Sequence, residues 1–452
     1  MRLKRLFLGL AAIIATGGAM AAYELTPTVH AGLAGEMPEL ARSGSYRLGT
    51  AVVQMTLPAR GRITALSMVS GHEEVADRII AVRYWYPADS TAKGKGARYD
   101  HVMHFPSQPP FPLSSQGTAI ADARPLPNGT FPLVLMSHGY GGWGTQFSNL
   151  AEHIASHGYV VAAIEHQDMP ADSVATFLAS FGNVLVDRTL DQRQVLARIA
   201  SDVRARKAPY LKLIDMRSVG LIGYSMGGYG AINSAGAPYR LDDGPLARIP
   251  QTAKDQLSQA AAEAVQIKAL VLFSPWGGQP DSRAWDAAAL GRITHPVLLV
   301  AGDQDDVVNF KDGVSWLFKN MTGSDRYMLV YREARHNIVG NQFNLAPDAP
   351  FVAAEFLKEP VWRSDRLNAI NQHFVTAFLD LTLKGEEAKR AYLAVPTIDS
   401  DGGEWPTSFG EQLNGMVAGP TQNKYWRGFQ RRWATGLEMH HAAPSNSSLE
   451  SK

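Results

Sequence analysis

The chain has 452 residues, 45% of them hydrophobic and 19% charged, and a formal net charge of +1. This is an ordinary globular composition with no long like-charged run, so there is no electrostatic case for nucleic acid or an anionic membrane surface as partner. It contains no cysteine, which excludes disulfides, a cysteine nucleophile, a lipidated N-terminal cysteine and cysteine-based zinc sites.

Arg2, Lys4 and Arg5 precede an apolar stretch from Leu6 to about Ala15; Ala19-Met20-Ala21 follows, and no acidic residue occurs before Glu24. Basic, apolar and small-residue segments in that order form a secretory signal pattern. Cleavage after Ala21 and export to the periplasm or medium are expected, with no stable membrane insertion afterwards. An uncleaved anchor is the alternative, disfavoured because a spanning helix needs about 20 apolar residues. Residues 22–45 read as a spacer rich in Ala, Gly, Thr and Pro.

Two strand-like runs follow, Ala51–Leu57 and Arg78–Tyr86. From Pro132 on, apolar runs at Leu133–Met136, Tyr159–Ile164, Ser218–Ile222, Ala269–Phe273, Val297–Val300 and Tyr327–Tyr331 alternate with helix-length segments. Those segments are Gly144–His157, Asp187–Arg206, Met226–Ala235, Phe310–Met321 and Asp365–Leu383. Continuous apolar strands alternating with helices predict an α/β fold, a mostly parallel sheet covered on both faces, over residues 46–400. Residues 239–265 read as a helical insertion, with no large cap domain. Residues 401–452, carrying Trp426 and Trp433, read as an extension packing on the domain, its tail from Ser445 to Lys452 disordered.

Gly223-Tyr224-Ser225-Met226-Gly227 fits G-x-S-x-G. The pentapeptide is weak alone, but here an apolar strand precedes it and a small-residue helical stretch follows. A sharp strand–turn–helix exposes the serine hydroxyl, and this arrangement resembles the nucleophile elbow of α/β-hydrolases. A serine nucleophile needs a base and the base an orienting carboxylate, following in the order Ser, acid, His. His336, His373, His440 and His441 lie far enough downstream. His373 falls in a helical pattern and the last two in the tail, which leaves His336, after the final strand. Gly302-Asp303-Gln304-Asp305-Asp306 follows strand Val297–Val300 and offers three carboxylates. The spacing after the glycine favours Asp305, with Asp306 and Asp303 as alternatives. Two backbone N–H groups are expected to face the oxyanion: Met226, directly after the serine, and Tyr140, in Ser137-His138-Gly139-Tyr140-Gly141-Gly142. His138 reads as a structural loop histidine because no ligand cluster accompanies it, and Glu165-His166-Gln167-Asp168 as shaping a loop.

Ser137-His138-Gly139 and the stretch Leu150-Ala151 through Ala155-Ser156-His157-Gly158-Tyr159 to Glu165-His166-Gln167-Asp168, with Arg83-Tyr84-Trp85-Tyr86-Pro87-Ala88, resemble the platelet-activating-factor acetylhydrolases and dienelactone-hydrolase-like bacterial esterases. The resemblance covers roughly residues 78–337 and implies carboxylic-ester hydrolysis through an acyl-enzyme. One place departs from it. In the acetylhydrolases the acid follows the strand after the nucleophile helix, where this chain has Phe273-Ser274-Pro275-Trp276. That moves the acid elsewhere and weakens the phospholipid-acetyl reading. Ser-Pro-Trp also resembles the Ala-Pro-Trp of cutinase-like polyester hydrolases, whose tryptophan lines the substrate groove. Trp276 and Trp143 are therefore the candidate pocket residues, a packed tryptophan being the alternative for Trp276. The expected enzyme is a monomer acting on a small-molecule, lipid or polymer ester, with no metal or other cofactor. Acetylhydrolase, lipase or polyester hydrolase are the finer alternatives, and a peptidase, an acyltransferase or a non-catalytic exported binding protein the more distant ones.

Overall fold

In the computed structural model, residues 28–29, 35–64, 74–106, 108–169, 171, 173–262, 266–405 and 424–445 are described. The signal pattern and its cleavage site lie outside them, as do 406–423 and the tail beyond Ser445. The strands are β1 (Thr28–Val29), β2 (Leu48–Arg62), β3 (Glu74–Pro87), β4 (Gly96–Met103), β5 (Phe111–Ala121), β6 (Phe131–Ser137), β7 (Val160–Glu165), β8 (Ile214–Tyr224), β9 (Ala269–Phe273), β10 (Val297–Gly302), β11 (Arg326–Tyr331) and β12 (Leu437–Ala442). They form one sheet in the order β1-β5-β2-β3-β7-β6-β8-β9-β10-β11-β12, with β4 paired to β5. From β7 through β11 every neighbour is parallel. The antiparallel β2–β3 hairpin extends one side and antiparallel β12 closes the other. The main helices are α1 (Ser148–Ser156), α2 (Val174–Arg204), α3 (Met226–Ser234), α4 (Gln251–Ala262) and α5 (Ser364–Leu383).

The parallel strands read as continuous apolar runs because successive side chains serve opposite cores. Leu133, Leu135, Leu221, Leu270, Leu272 and Leu299 pack with Leu196 of α2 and Ile232 of α3. Their neighbours Val134, Met136, Ile222, Val271, Leu298 and Val300 pack with Ile154 of α1 and Phe374 and Phe378 of α5. The alternation thus yields a three-layer α/β sandwich. Arg60 on β2 and Arg78 on β3 bridge Asp187 and Asp191 on α2, fastening the antiparallel hairpin to the parallel core.

Several expectations need correction. The second half of the stretch read as spacer is packed structure. Leu40 and Ala41 are buried, and Leu40 N–H donates to His373 Nδ1 at 3.1 Å, fixing this segment to α5. Helix α2 begins at Val174 instead of near Asp187, started by a capping box in which Ser173 and Thr176 satisfy each other's backbone N–H. The segment expected as a helix over Phe310–Met321 is helical, but it opens as a π-helix, Phe310–Val314, that runs directly into an α-helix, Ser315–Asn320. Strands β4, β5 and β12 were not anticipated, and β12 carries His440 and His441, which the sequence assigned to a tail. In the insertion, Gly244–Leu246 forms a single turn ahead of α4. The extension does pack on the domain: Trp426 and Phe429 are buried beside Phe374, and Trp426 Nε1 donates to Thr397 O at 3.0 Å.

Candidate active site

Ser225 follows the last residue of β8 and is the N-cap of α3, with φ 51° and ψ −115°. A non-glycine residue at positive φ is strained and persists only where its surroundings over-determine it. They do so here. Ser225 N–H donates to Phe273 O of β9 at 2.9 Å, and Ser225 O accepts from Trp276 N at 3.1 Å and Tyr229 N at 3.0 Å. Both flanking glycines are required by close approach. A Cβ on Gly223 would stand 2.4 Å from Gly227 O, and one on Gly227 would stand 2.0 Å from Ser137 O.

The loop after β11 brings His336 over this turn. Its ring lies 5.1 Å from that of Tyr224, the residue before the serine, and Tyr224 OH bonds Asn337 Oδ1 at 3.3 Å. His336 Nδ1 is 2.8 Å from Asp305 Oδ2, while Asp305 Oδ1 accepts from Val307 and Val308 N–H at 3.0 and 3.1 Å. Burial pushes the Asp305 carboxyl upward, but His336, the Val308 N–H and the nearby Ser274 hydroxyl outweigh it and hold the group ionised below its ordinary value. Ser274 thus stands beside Asp305. The other two carboxylates are engaged elsewhere: Asp303 accepts from Glu333 N–H, and Asp306 pairs with Arg335 on the surface.

The loop after β6 lies against the serine, since a Cβ on Gly139 would approach Ser225 Cβ to 3.2 Å. Tyr140 follows Gly139 in that loop, and its ring meets Phe177 and Phe181 edge-on. Met226 opens α3, at the positive end of the helix dipole. Trp276 is half-buried beside the serine, its ring edge-on to Phe181 at 5.4 Å and to Tyr229 at 5.5 Å. Trp143 is a correction: only 2% exposed, it stacks on His101 at 4.2 Å in a small core with Met103, Leu113 and Phe343. It offers no face to a substrate.

His138 is buried with Nδ1 2.7 Å from Gly139 O, and its Nε2 accepts from His166 N–H at 3.1 Å. Burial, aided by the nearby Arg188 cation, holds it well below the ordinary histidine range, so it stays neutral. Glu165 receives Gly144 N–H at 2.8 Å, and burial raises its carboxyl to about 7. Asp168 receives Gly141 N–H at 2.8 Å and pairs with Arg188. Arg188 escaped the sequence reading, because arginine on a helix ordinarily marks a solvated face. A cavity of about 620 Å³, lined among others by Met37, Tyr46, Glu152, His153 and Gln342, touches none of Ser225, Asp305 and His336. Among the described residues no cluster of His, Cys, Asp and Glu could hold a metal, and no helix is long and apolar enough to cross a membrane.

The strained serine between the central parallel strand and its helix, in a sheet of this order, gives the chain the α/β-hydrolase fold. The family described as "Platelet-activating factor acetylhydrolase, isoform II" matches residues 113–207, a span that includes the Gly139–Tyr140 loop and Arg188 but ends before Ser225. A platelet-activating factor acetylhydrolase of Bos taurus is 45% identical over 47 residues, 10% of this chain and 11% of that protein. Cutinase est1 of Thermobifida alba is 24% identical over 216 residues, 47% of this chain and 55% of its own length. The chain therefore spans about half or less of the length of the curated relatives it matches. A solved structure, the ferulic acid esterase from Streptomyces cinnamoneus, overlaps 77% of the chain and 94% of its own with 21% identity and a TM-score of 0.49.

Proposed function

We propose that this protein is a serine-dependent carboxylic-ester hydrolase. The observation that carries the reading is the Asp305–His336 pair, 2.8 Å apart, with His336 beside Tyr224, the residue before a strained serine at a strand–helix elbow. Ser225 Oγ attacks the ester carbonyl while His336 Nε2 takes its proton, and Asp305 fixes the imidazole with Nδ1–H toward the carboxylate. The oxyanion faces the Met226 and Tyr140 N–H groups. His336 then protonates the leaving alcohol, and water, activated the same way, releases the acid and restores Ser225. Esters are favoured over amides because an alkoxide leaves more readily than an amide nitrogen, and the relatives are named as an acetylhydrolase and a cutinase. Half-buried Trp276 at the serine supports an apolar substrate portion there.

The reading is tested with a chain-length series of chromogenic esters on purified protein. Wild type is expected to hydrolyse them and Ser225→Ala to lose all but a residual rate; an alanine variant as fast as wild type overturns the proposal. The optimum chain length separates an acetylhydrolase from a lipase- or cutinase-like enzyme. We further propose that the protein is exported, on the strength of the Arg2–Ala21 pattern. Sequencing the mature N-terminus is expected to give Ala22, and a protein still beginning at Met1 removes that reading.

A further inference from the structure

Arg188 is fully buried on α2, and its guanidinium spends its donors on the backbone of one loop. Nε donates to His138 O at 3.2 Å and Nη2 to Gly139 O at 2.9 Å. Nη1 and Nη2 also grip Asp168 at 2.7 and 2.6 Å, and Asp168 Oδ2 in turn accepts Gly141 N–H at 2.8 Å. The ion pair therefore holds the peptide on each side of Tyr140, one by its carbonyl and the other by its N–H.

The consequence is directional. In a trans peptide the C=O and N–H point opposite ways, and no described peptide bond is cis. With Gly139 O drawn onto the guanidinium, the Tyr140 N–H of that same peptide must aim away from Arg188. With Gly141 N–H drawn onto Asp168, the Tyr140 carbonyl must also aim away from the pair. Neither peptide can flip without leaving a buried charge short of a partner. A buried ion pair is a poor device for stability, since apolar residues of the same volume often do as well. It is a good one for fixing orientation, because the arginine fork is planar and rigid.

We propose that Arg188 and Asp168 are positioning residues for the reaction: together they fix the orientation of the Tyr140 N–H as the second oxyanion donor. This rests on the ester-hydrolase reading. An N–H set in advance contributes at the transition state without reorganising, whereas a free loop would let the peptide rotate. Arg188→Lys cannot serve, because a single ammonium cannot span two carbonyls and a carboxylate with the same geometry.

The test compares wild type with Asp168→Asn, Arg188→Lys and Ser225→Ala, each first checked for a cooperative melt. The readouts are kcat and KM on a short chromogenic ester, and the inhibition constant of a trifluoromethyl ketone of the same acyl chain, whose serine adduct carries the oxyanion. For Asp168→Asn and Arg188→Lys, kcat is expected to fall about 10- to 100-fold, short of the full loss of a donor. Ketone affinity should fall in parallel, with KM nearly unchanged. If Arg188→Lys does not fold, Asp168→Asn alone decides. A folded Asp168→Asn that keeps both kcat and ketone affinity overturns the proposal, and so does a loss confined to KM. Ser225→Ala separates the two levels: if hydrolysis survives it, the functional reading falls and takes this proposal with it. If hydrolysis requires Ser225 and Asp168→Asn is silent, this proposal alone falls.

Discussion

Two groups of serine, histidine and aspartate side chains are gathered in this molecule. His336 and Asp305 pair beside Tyr224, the residue before Ser225. Below the adjoining loop, Ser137 Oγ lies 2.7 Å from His166 Nε2, whose Nδ1 lies 2.8 Å from Asp191 Oδ2. The second set has good distances but no access, since His166 and Asp191 are sealed and Ser137 is 2% exposed. Gln192 Nε2 also donates to Ser137 Oγ, and Ser137 closes β6 without a helix dipole or a strained turn behind it. Geometry among three side chains thus does not by itself make a nucleophile. For the accessible set the acid can be distinguished by substitution. Asp305→Asn removes the acceptor that holds the His336 tautomer and is expected to lower kcat about 10⁴-fold. Asp306→Asn breaks only an exposed pair with Arg335 and should leave kcat within about twofold of wild type. Steady-state kinetics on both variants check this; a reversed order would transfer the acid to Asp306.

At the scale of elements, the extension beyond residue 401 is part of the core. Trp426 is fully buried against Phe374 and Phe429, and β12 covers the edge that β11 would otherwise expose. Trp426→Ala is expected to cost about 3–5 kcal/mol in denaturant unfolding. The kcat of the folded fraction should be unchanged, because this cluster lies on the α5 face. A variant as stable as wild type would show the extension to be loosely attached. What the chain reveals before folding follows the same division. Strands β6 to β11 are legible because both their faces are buried and their apolar runs unbroken. Strands β4 and β5 are obscured by Arg98, Asp100, Pro112 and Gly117, and β12 by paired histidines, as befits strands outside that doubly covered core. Ser225 and His336 stand out from local context and Asp305 from its spacing after Gly302, but Asp303 and Asp306 stay as alternatives there, since a contact across 31 positions leaves no local mark. Arg188 leaves none either, because its partners lie in two other segments.

Over the whole molecule, titration of buried histidines sets how stability depends on pH. His138 and His153 are held well below the ordinary value by burial, and burial likewise lowers His166 to about 4 and His373 to about 3. All of them are neutral in the folded protein and take up protons near pH 6.5 when it unfolds. Between that value and their folded values the unfolded chain binds more protons, so stability is present above about 6.5 and declines as the pH falls through this window. Glu165 acts in the opposite sense. Its folded value of about 7 exceeds the model-peptide 4.5, so its contribution is complete below 4.5 and is lost as the pH rises through 7. Asp168 and Asp305 are lowered, so their contributions fade only as the pH drops below the ordinary carboxylate value of 3.8, outside this window. Several histidines outweigh one glutamate. The urea midpoint is therefore expected to be lower at about pH 5 than at about pH 7.5. Glu165→Gln removes the opposing group and should widen that difference while keeping an acceptor for Gly144 N–H. A midpoint that is flat with pH, or a difference that shrinks in Glu165→Gln, would mean that some of these histidines are protonated in the native state at about pH 5.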